Sequence, residues 1–161
     1  MRIEHGFGPV FDKESRVLIL GSFPSVKSRE IDFYYGHPQN RFWRVLGGLL
    51  NDPAPEGVSE RKAYLTRHHV ALWDVIESCE ITGSADSAVR DPEPTDLARI
   101  LSFSPIRAVF CNGNLAYSLL QKVGSVPASV PVFRLPSTSP ANAAWSVERL
   151  LNEWQTVSAY L

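Results

Sequence analysis

The sequence predicts an α/β protein, a three-layer α/β/α sandwich around a central, mainly parallel four-stranded sheet. Two observations carry that prediction. Four short, largely apolar runs punctuate the 161 residues, and the segments between them place apolar residues at helical spacing. A strand covered on both faces is apolar throughout rather than alternating, so such runs suit a parallel sheet sheltered by helices.

The first run, Val17-Leu18-Ile19-Leu20, follows a polar stretch and ends at Gly21, which reads as a buried strand opening into a loop. Phe42, Val45, Leu46, Leu49 and Leu50 then form a helical stripe that Asn51-Asp52-Pro53 terminates. Ser59 is the expected cap of a second helix reaching Arg67, ahead of the strand Val70-Ala71-Leu72-Trp73. A short Pro-rich connection is expected at Asp91-Pro92-Glu93-Pro94, with Thr95 capping a helix through Ser102. Ala108-Val109-Phe110-Cys111 is the third strand, and Asn114 is the expected cap of a helix through Val123. The fourth strand is expected from Val130 to Leu135, and a last helix over 141–160 carries Val147, Leu150, Leu151, Trp154 and Val157. Residues 83–91 are polar and are expected to form an exposed loop at the mouth of the sheet. No repeat or linker divides the chain, so residues 1–161 read as one domain.

The formal net charge of −1 excludes a global basic field of the kind that holds proteins nonspecifically on nucleic acid. Cys79 and Cys111 stand alone, without zinc or iron–sulfur spacing, and are expected to be reduced and structural. The neighbouring His68 and His69 lack a third ligand, so no metal site and no cofactor is expected. The N-terminus has no apolar signal core and no apolar run approaches membrane-spanning length. The expectation is a soluble, cytoplasmic protein with no membrane partner, acting as a monomer.

In open parallel sheets ligands bind beyond the carboxyl ends of the strands. Those ends read Gly21-Ser22-Phe23-Pro24-Ser25, then Asp74, then Asn112-Gly113-Asn114, then Pro136-Ser137-Thr138-Ser139-Pro140. They supply hydroxyls, amides and one carboxylate, with no Walker lysine loop, GxSxG elbow or GxGxxG. From local sequence Asn40, just before Arg41-Phe42-Trp43, is an N-cap candidate, Phe23 a core residue, and Asn112 and Asn114 turn formers.

Taken in order, these segments resemble a known family. The loop from Gly21 to Ser25, with Gly36-His37-Pro38-Gln39-Asn40-Arg41-Phe42-Trp43, resembles motif 1 and its extension in the uracil-DNA glycosylase superfamily. Leu135-Pro136-Ser137-Thr138-Ser139-Pro140-Ala141-Asn142 resembles motif 2, the minor-groove loop. Ala71-Leu72-Trp73-Asp74-Val75-Ile76 and Gly83-Ser84-Ala85-Asp86-Ser87 are similar to the base-pocket strand and following loop of the hypoxanthine-excising branch. The likeness runs from about Leu18 to Asn142, and its specificity lies in the joint order of the motifs.

One departure matters. Many members of that superfamily place Asp or Asn after the first-loop glycine to position the attacking water, whereas this chain has Ser22-Phe23-Pro24. In the hypoxanthine-excising branch the resemblance passes that duty to the Asn of the HPxN segment, here Asn40, whose amide oxygen is expected to hold the water and face the developing cation. Cleaving an N-glycosidic bond builds oxocarbenium-like charge on the sugar, so a placed water and a stabilised leaving base matter more than a strong base. The resemblance further implies that Phe23 stacks on a flipped base, with Ser22 beside it, and that Asp74 reads the base edge by accepting the N1–H of hypoxanthine or the N3–H of uracil. It implies DNA contacts from Ser25, Pro136, Ser137, Thr138, Ser139 and Asn142, with the helix after Pro140 offering its N-terminus to phosphate. The implied partner is DNA carrying a deaminated base, and the implied reaction is monofunctional base excision. A uracil or mismatch-specific glycosylase, a non-catalytic binder of damaged DNA or nucleotides, and a nucleoside hydrolase are the competing readings.

Overall fold

A computed structural model describes residues 1–81 and 89–161; most of the loop expected over 83–91, and the loop segment of the resemblance over 83–87, lie outside them. The expected sheet is present. Strands β2 (Val17–Gly21), β3 (Val70–Asp74), β6 (Ala108–Asn112) and β7 (Val132–Leu135) pair in the order β3-β2-β6-β7, every pair parallel. The chain leaves β2 towards one side for β3 and returns to its other side for β6. This reversal opens a crevice beyond the carboxyl ends of β2 and β6, the standard place for a ligand in such sheets.

The last strand starts at Val132 rather than Val130, because Pro131 has no N–H to give and the Val130 N–H closes a turn onto the Pro127 carbonyl. Helices flank the sheet. The predicted stripe forms α2 (Phe42–Leu50), which packs against α6 (Val147–Trp154), while α5 (Asn114–Val123) covers β6 and β7 and α3 (Val58–Arg67) lies against β3. Trp154 is fully buried and donates its Nε1–H to the Pro136 carbonyl at 3.0 Å, so α6 anchors the start of the loop after β7. No described helix is long and apolar enough to cross a membrane.

Several expected caps are replaced by others. Gly57, not Ser59, caps α3, and Ser59 sits in its first turn. Asn114 begins α5 behind Gly113, whose φ of 101° suits glycine alone and whose missing side chain lets Ser137 approach. The Thr95 hydroxyl donates to the carbonyls of Asp74 and Val75 at 2.8 and 3.1 Å instead of capping α4 (Ala98–Leu101). The helix expected over 141–160 is confined to α6, with Ser146 as its cap, followed by a 3-10 turn over Gln155–Tyr160.

A second sheet was not foreseen. Strands β1 (Arg2–Glu4), β4 (Ile76–Glu80) and β5 (Arg90–Pro94) form an antiparallel sheet in the order β1-β4-β5. The segment expected as a Pro-rich connection is therefore an edge strand. Pro92 and Pro94 disguise it, and they are tolerated because an edge strand need not donate from every residue. The chain passes from β3 into β4 through Val75 alone, so the second sheet is welded to the end of the first.

Candidate functional site

A cavity of about 450 Å³ opens at the expected crevice. Its walls come from Gly21, Ser22, Phe23, Tyr35, Asn40, Asp74, Asn112 and the loop Ser137 to Ala141. The structure thus brings together the residues expected from the loop after β2, the HPxN segment, the end of β3 and the loop after β7.

Asp74 ends β3 directly opposite Gly21 in the parallel register, and it is 4% exposed. Its Oδ2 lies 2.7 Å from Nε2 of His5, itself 1% exposed. The second sheet explains the contact: β1 pairs with β4, and the His5 N–H donates to the Glu77 carbonyl at 2.7 Å, which sets the imidazole over the end of β3. A Cβ at position 21 would overlap Asp74 Oδ1, so this closeness requires glycine. Asp74 is therefore held through one oxygen and presents the other towards Gly21 and the cavity.

Tyr34 and Tyr35 surround this carboxylate. Burial first, and the Asp74 charge second, raise both phenols far above their ordinary range, so both stay protonated. Tyr34 donates to the Gly8 carbonyl at 2.8 Å. Tyr35 stacks on Phe42 with ring centroids 4.0 Å apart.

Asn40 is not free at both ends of its amide. Its Oδ1 accepts the Phe42 N–H at 2.9 Å and the Thr138 hydroxyl at 2.8 Å. The capping role expected from local sequence is therefore partly present, as a contact to the first residue of α2, although Arg41 occupies the cap position itself. The amide oxygen expected to hold water has both lone pairs engaged, and Nδ2 is the end not engaged with described residues. His37 Nδ1 accepts the Gln39 N–H at 3.1 Å, which fixes the turn leading to Asn40.

Thr138 is fully buried, which corrects its expected place among DNA-facing residues. Asn112 grips it twice, accepting its N–H on Oδ1 and donating from Nδ2 to its hydroxyl, both at 3.0 Å. Asn112 is thus a clamp between β6 and the loop after β7, not a turn former. Asn112, Thr138 and Asn40 form one hydrogen-bonded chain across three segments, in which each polar atom buried by the packing finds a partner.

Arg41 completes this clamp, a role that no spacing or motif around it marks. Its guanidinium donates to the carbonyls of Thr138, Ser139, Asn142 and Trp145. Five fixed donors on a planar group suit such a cluster of carbonyls. Bound this way, residues 139–145 turn back on themselves instead of entering a helix, so the helix N-terminus expected after Pro140 as a phosphate site is absent.

The other expected DNA-facing residues shape backbone. Ser25 caps α1 (Val26–Ile31) by accepting the Ser28 N–H at 3.1 Å. Ser137 and Ser139 accept the N–H groups of Ser139 and Ala141 at 3.1 and 3.2 Å, and Asn142 Nδ2 donates to the Ser137 carbonyl at 3.0 Å. Phe23 is half-buried on the cavity wall, its ring 6.0 Å from His5 and 5.8 Å from the Arg29 guanidinium. Trp43 and Trp73 are core, and both cysteines are buried free thiols.

The chain is similar to known proteins along most of its length. The family model of the uracil DNA glycosylase superfamily matches residues 9–160. A hypoxanthine DNA glycosylase from Methanosarcina acetivorans is 34% identical over 157 residues, covering 96% of this chain and 98% of that one. A hypoxanthine DNA glycosylase from Methanosarcina barkeri is 34% identical over 112 residues, 68% of this chain and 71% of that one. Among solved structures, a solution NMR structure described as a candidate uracil DNA glycosylase from Methanosarcina acetivorans superposes with a TM-score of 0.80 at 32% identity, covering 98% of this chain and 96% of that one.

Proposed function

Because the chain belongs to the uracil DNA glycosylase superfamily, we propose that it is a monofunctional DNA glycosylase whose preferred substrate is hypoxanthine in DNA. The observation that carries the substrate is the Asp74 carboxylate, buried, held by His5 on one oxygen and directed at the cavity with the other. A carboxylate accepts the N1–H of hypoxanthine, while adenine offers only a lone pair there and leaves the acceptor unpaired. The two relatives named as hypoxanthine DNA glycosylases support the same choice.

In the reaction the C1′–N9 bond breaks with its electron pair leaving on the base. A water oxygen bonds C1′ and releases a proton, and the departing base takes up a proton to become free hypoxanthine. Asn40 is the proposed catalytic residue. Thr138 and Phe42 fix its amide plane through Oδ1, so Nδ2 is the end that holds the water oxygen in place, donating to one lone pair while the other faces C1′. Phe23 and Ser22 line the same wall and are the proposed stacking and edge contacts for the flipped base. Because Ser137 and Ser139 use a lone pair on backbone N–H groups, each keeps its hydroxyl proton as the donor to offer a phosphate, whereas Ser25 gives its proton to the Ser28 hydroxyl at 3.2 Å and reaches a phosphate only by releasing it. Pro136 and Asn142 hold the ends of that loop for the minor groove.

Duplex oligonucleotides bearing hypoxanthine, uracil or xanthine, assayed for abasic sites by alkaline cleavage, test this reading. Hypoxanthine release is expected to be fastest. Uracil release without hypoxanthine release overturns the substrate, and release of no base overturns the glycosylase.

A further inference from the structure

The Tyr35 hydroxyl is buried and has no hydrogen-bond partner among the described residues. An unpaired buried donor costs free energy, so one at a cavity wall is paired by whatever fills the cavity, water in the free protein and a ligand acceptor when one is bound. Its position is specific. It lies 3.3 Å from the point where a Gly21 Cβ would sit, the same point that Asp74 Oδ1 closely adjoins, so a phenol donor and a carboxylate acceptor share the floor of one cavity. Tyr35 is held there by its stack on Phe42 and by a backbone φ of 51°, unusual for a residue other than glycine. Burial and the Asp74 charge keep it protonated; the Asn112 side chain, close enough to favour the phenolate by hydrogen bonding to its oxygen, opposes that shift but leaves the O–H proton without an acceptor.

Resting on the reading of Asp74 above, we propose that Tyr35 is a second specificity residue, donating from its hydroxyl to the C6 carbonyl of the flipped base while Asp74 accepts the adjacent N1–H. A lactam edge, carbonyl next to N–H, is complementary to that pair. Adenine reverses the pattern at N1 and at its amino group. Guanine shares the lactam edge, so its exclusion falls to its stronger pairing in the duplex and to its 2-amino group. As the C1′–N9 bond breaks, negative charge spreads over the purine and reaches the C6 oxygen, so the phenol donor strengthens in the transition state and acts on the rate of release rather than on DNA binding.

Tyr35→Phe keeps the ring and its stack and removes only the donor. Single-turnover release of hypoxanthine is expected to fall roughly 10- to 100-fold, while the Kd for a duplex carrying a tetrahydrofuran abasic analogue stays unchanged. A base analogue provides a second test: replacing the C6 oxygen by sulfur, a weaker acceptor, is expected to slow release by wild type, and Tyr35→Phe to lose most of that difference. Undiminished hypoxanthine release by Tyr35→Phe, an equal fall in release and in abasic-analogue binding, or wild-type indifference to sulfur each overturns the proposal. Wild-type failure to release hypoxanthine is the separate failure of the functional reading on which it rests.

Discussion

The Thr138 hydroxyl donates to Asn40 Oδ1 at 2.8 Å, joining the loop after β7 to the residue proposed to place the attacking water. Asn40→Ala is expected to lower single-turnover base release roughly 100-fold. Thr138→Val keeps the shape but strands the Asn112 amino group and frees the Asn40 amide. It is expected to cost about 1–3 kcal/mol of stability and to slow release while leaving the chain folded. Release rates together with denaturant melts check both, and an Asn40→Ala protein of wild-type rate removes Asn40 from the mechanism.

His5 carries a prediction about the base edge. His5→Ala leaves a buried carboxylate without its partner and is expected to cost about 1.5–3 kcal/mol together with selectivity for hypoxanthine. His5→Gln restores a donor of similar reach and is expected to recover part of both. The ratio of hypoxanthine to uracil release measures the effect, and a ratio unchanged in His5→Ala would show that Asp74 keeps its orientation without help.

These residues also show what was legible in the sequence. Asp74 was, because it ends an apolar run in a sheet whose topology places ligands at strand ends. His5 was not, since a three-residue strand gives almost no periodic signal and its pairing with β4 spans the chain from one end to the middle. Thr138 was recognised as a site residue but assigned the wrong direction: a Ser/Thr-rich loop announces hydroxyls, yet only the positions of Asn112 and Asn40 decide which one turns inward. The overlong last helix has the same origin. Apolar spacing continued through 141–145, but the carbonyls there had already been claimed by Arg41.

Arg41→Ala removes one group from four carbonyls. The loop over 138–145 is expected to loosen, with faster amide exchange, weaker binding to abasic-analogue DNA and a loss of a few kcal/mol, since a hydrogen bond to a charged group is worth about 1.5–3 kcal/mol net and the four contacts of one guanidinium do not add, water replacing it at the freed carbonyls. Arg41→Lys is expected to resemble Ala, because a single ammonium cannot span the cluster. Exchange rates that match wild type in this loop contradict the clamp.

Asp52 gives a pH dependence. The hydrogen bond from His68 first, and that from Arg67 second, hold its carboxyl below the usual 3.8. A carboxyl depressed in the folded state stabilises at pH values above its unfolded value and loses that contribution as pH falls through the folded one. The melting temperature of wild type is therefore expected to exceed that of Asp52→Asn near neutrality, and the gap to close below about pH 4. A gap that widens on acidification reverses the sign and refutes the assignment.

Three contacts that close the cavity are distant along the chain: His5 to Asp74 spans 69 residues, Asn40 to Thr138 spans 98 and Arg41 to Trp145 spans 104. During synthesis, a chain that has not yet emerged to the last of these has neither a fixed amide nor a settled loop, even when its first parallel strands are paired. Assembly order thus acts as a safeguard. A partial fold without these contacts lacks the geometry to extract and release a base, so the capacity to wound DNA arrives only with the final long-range closure.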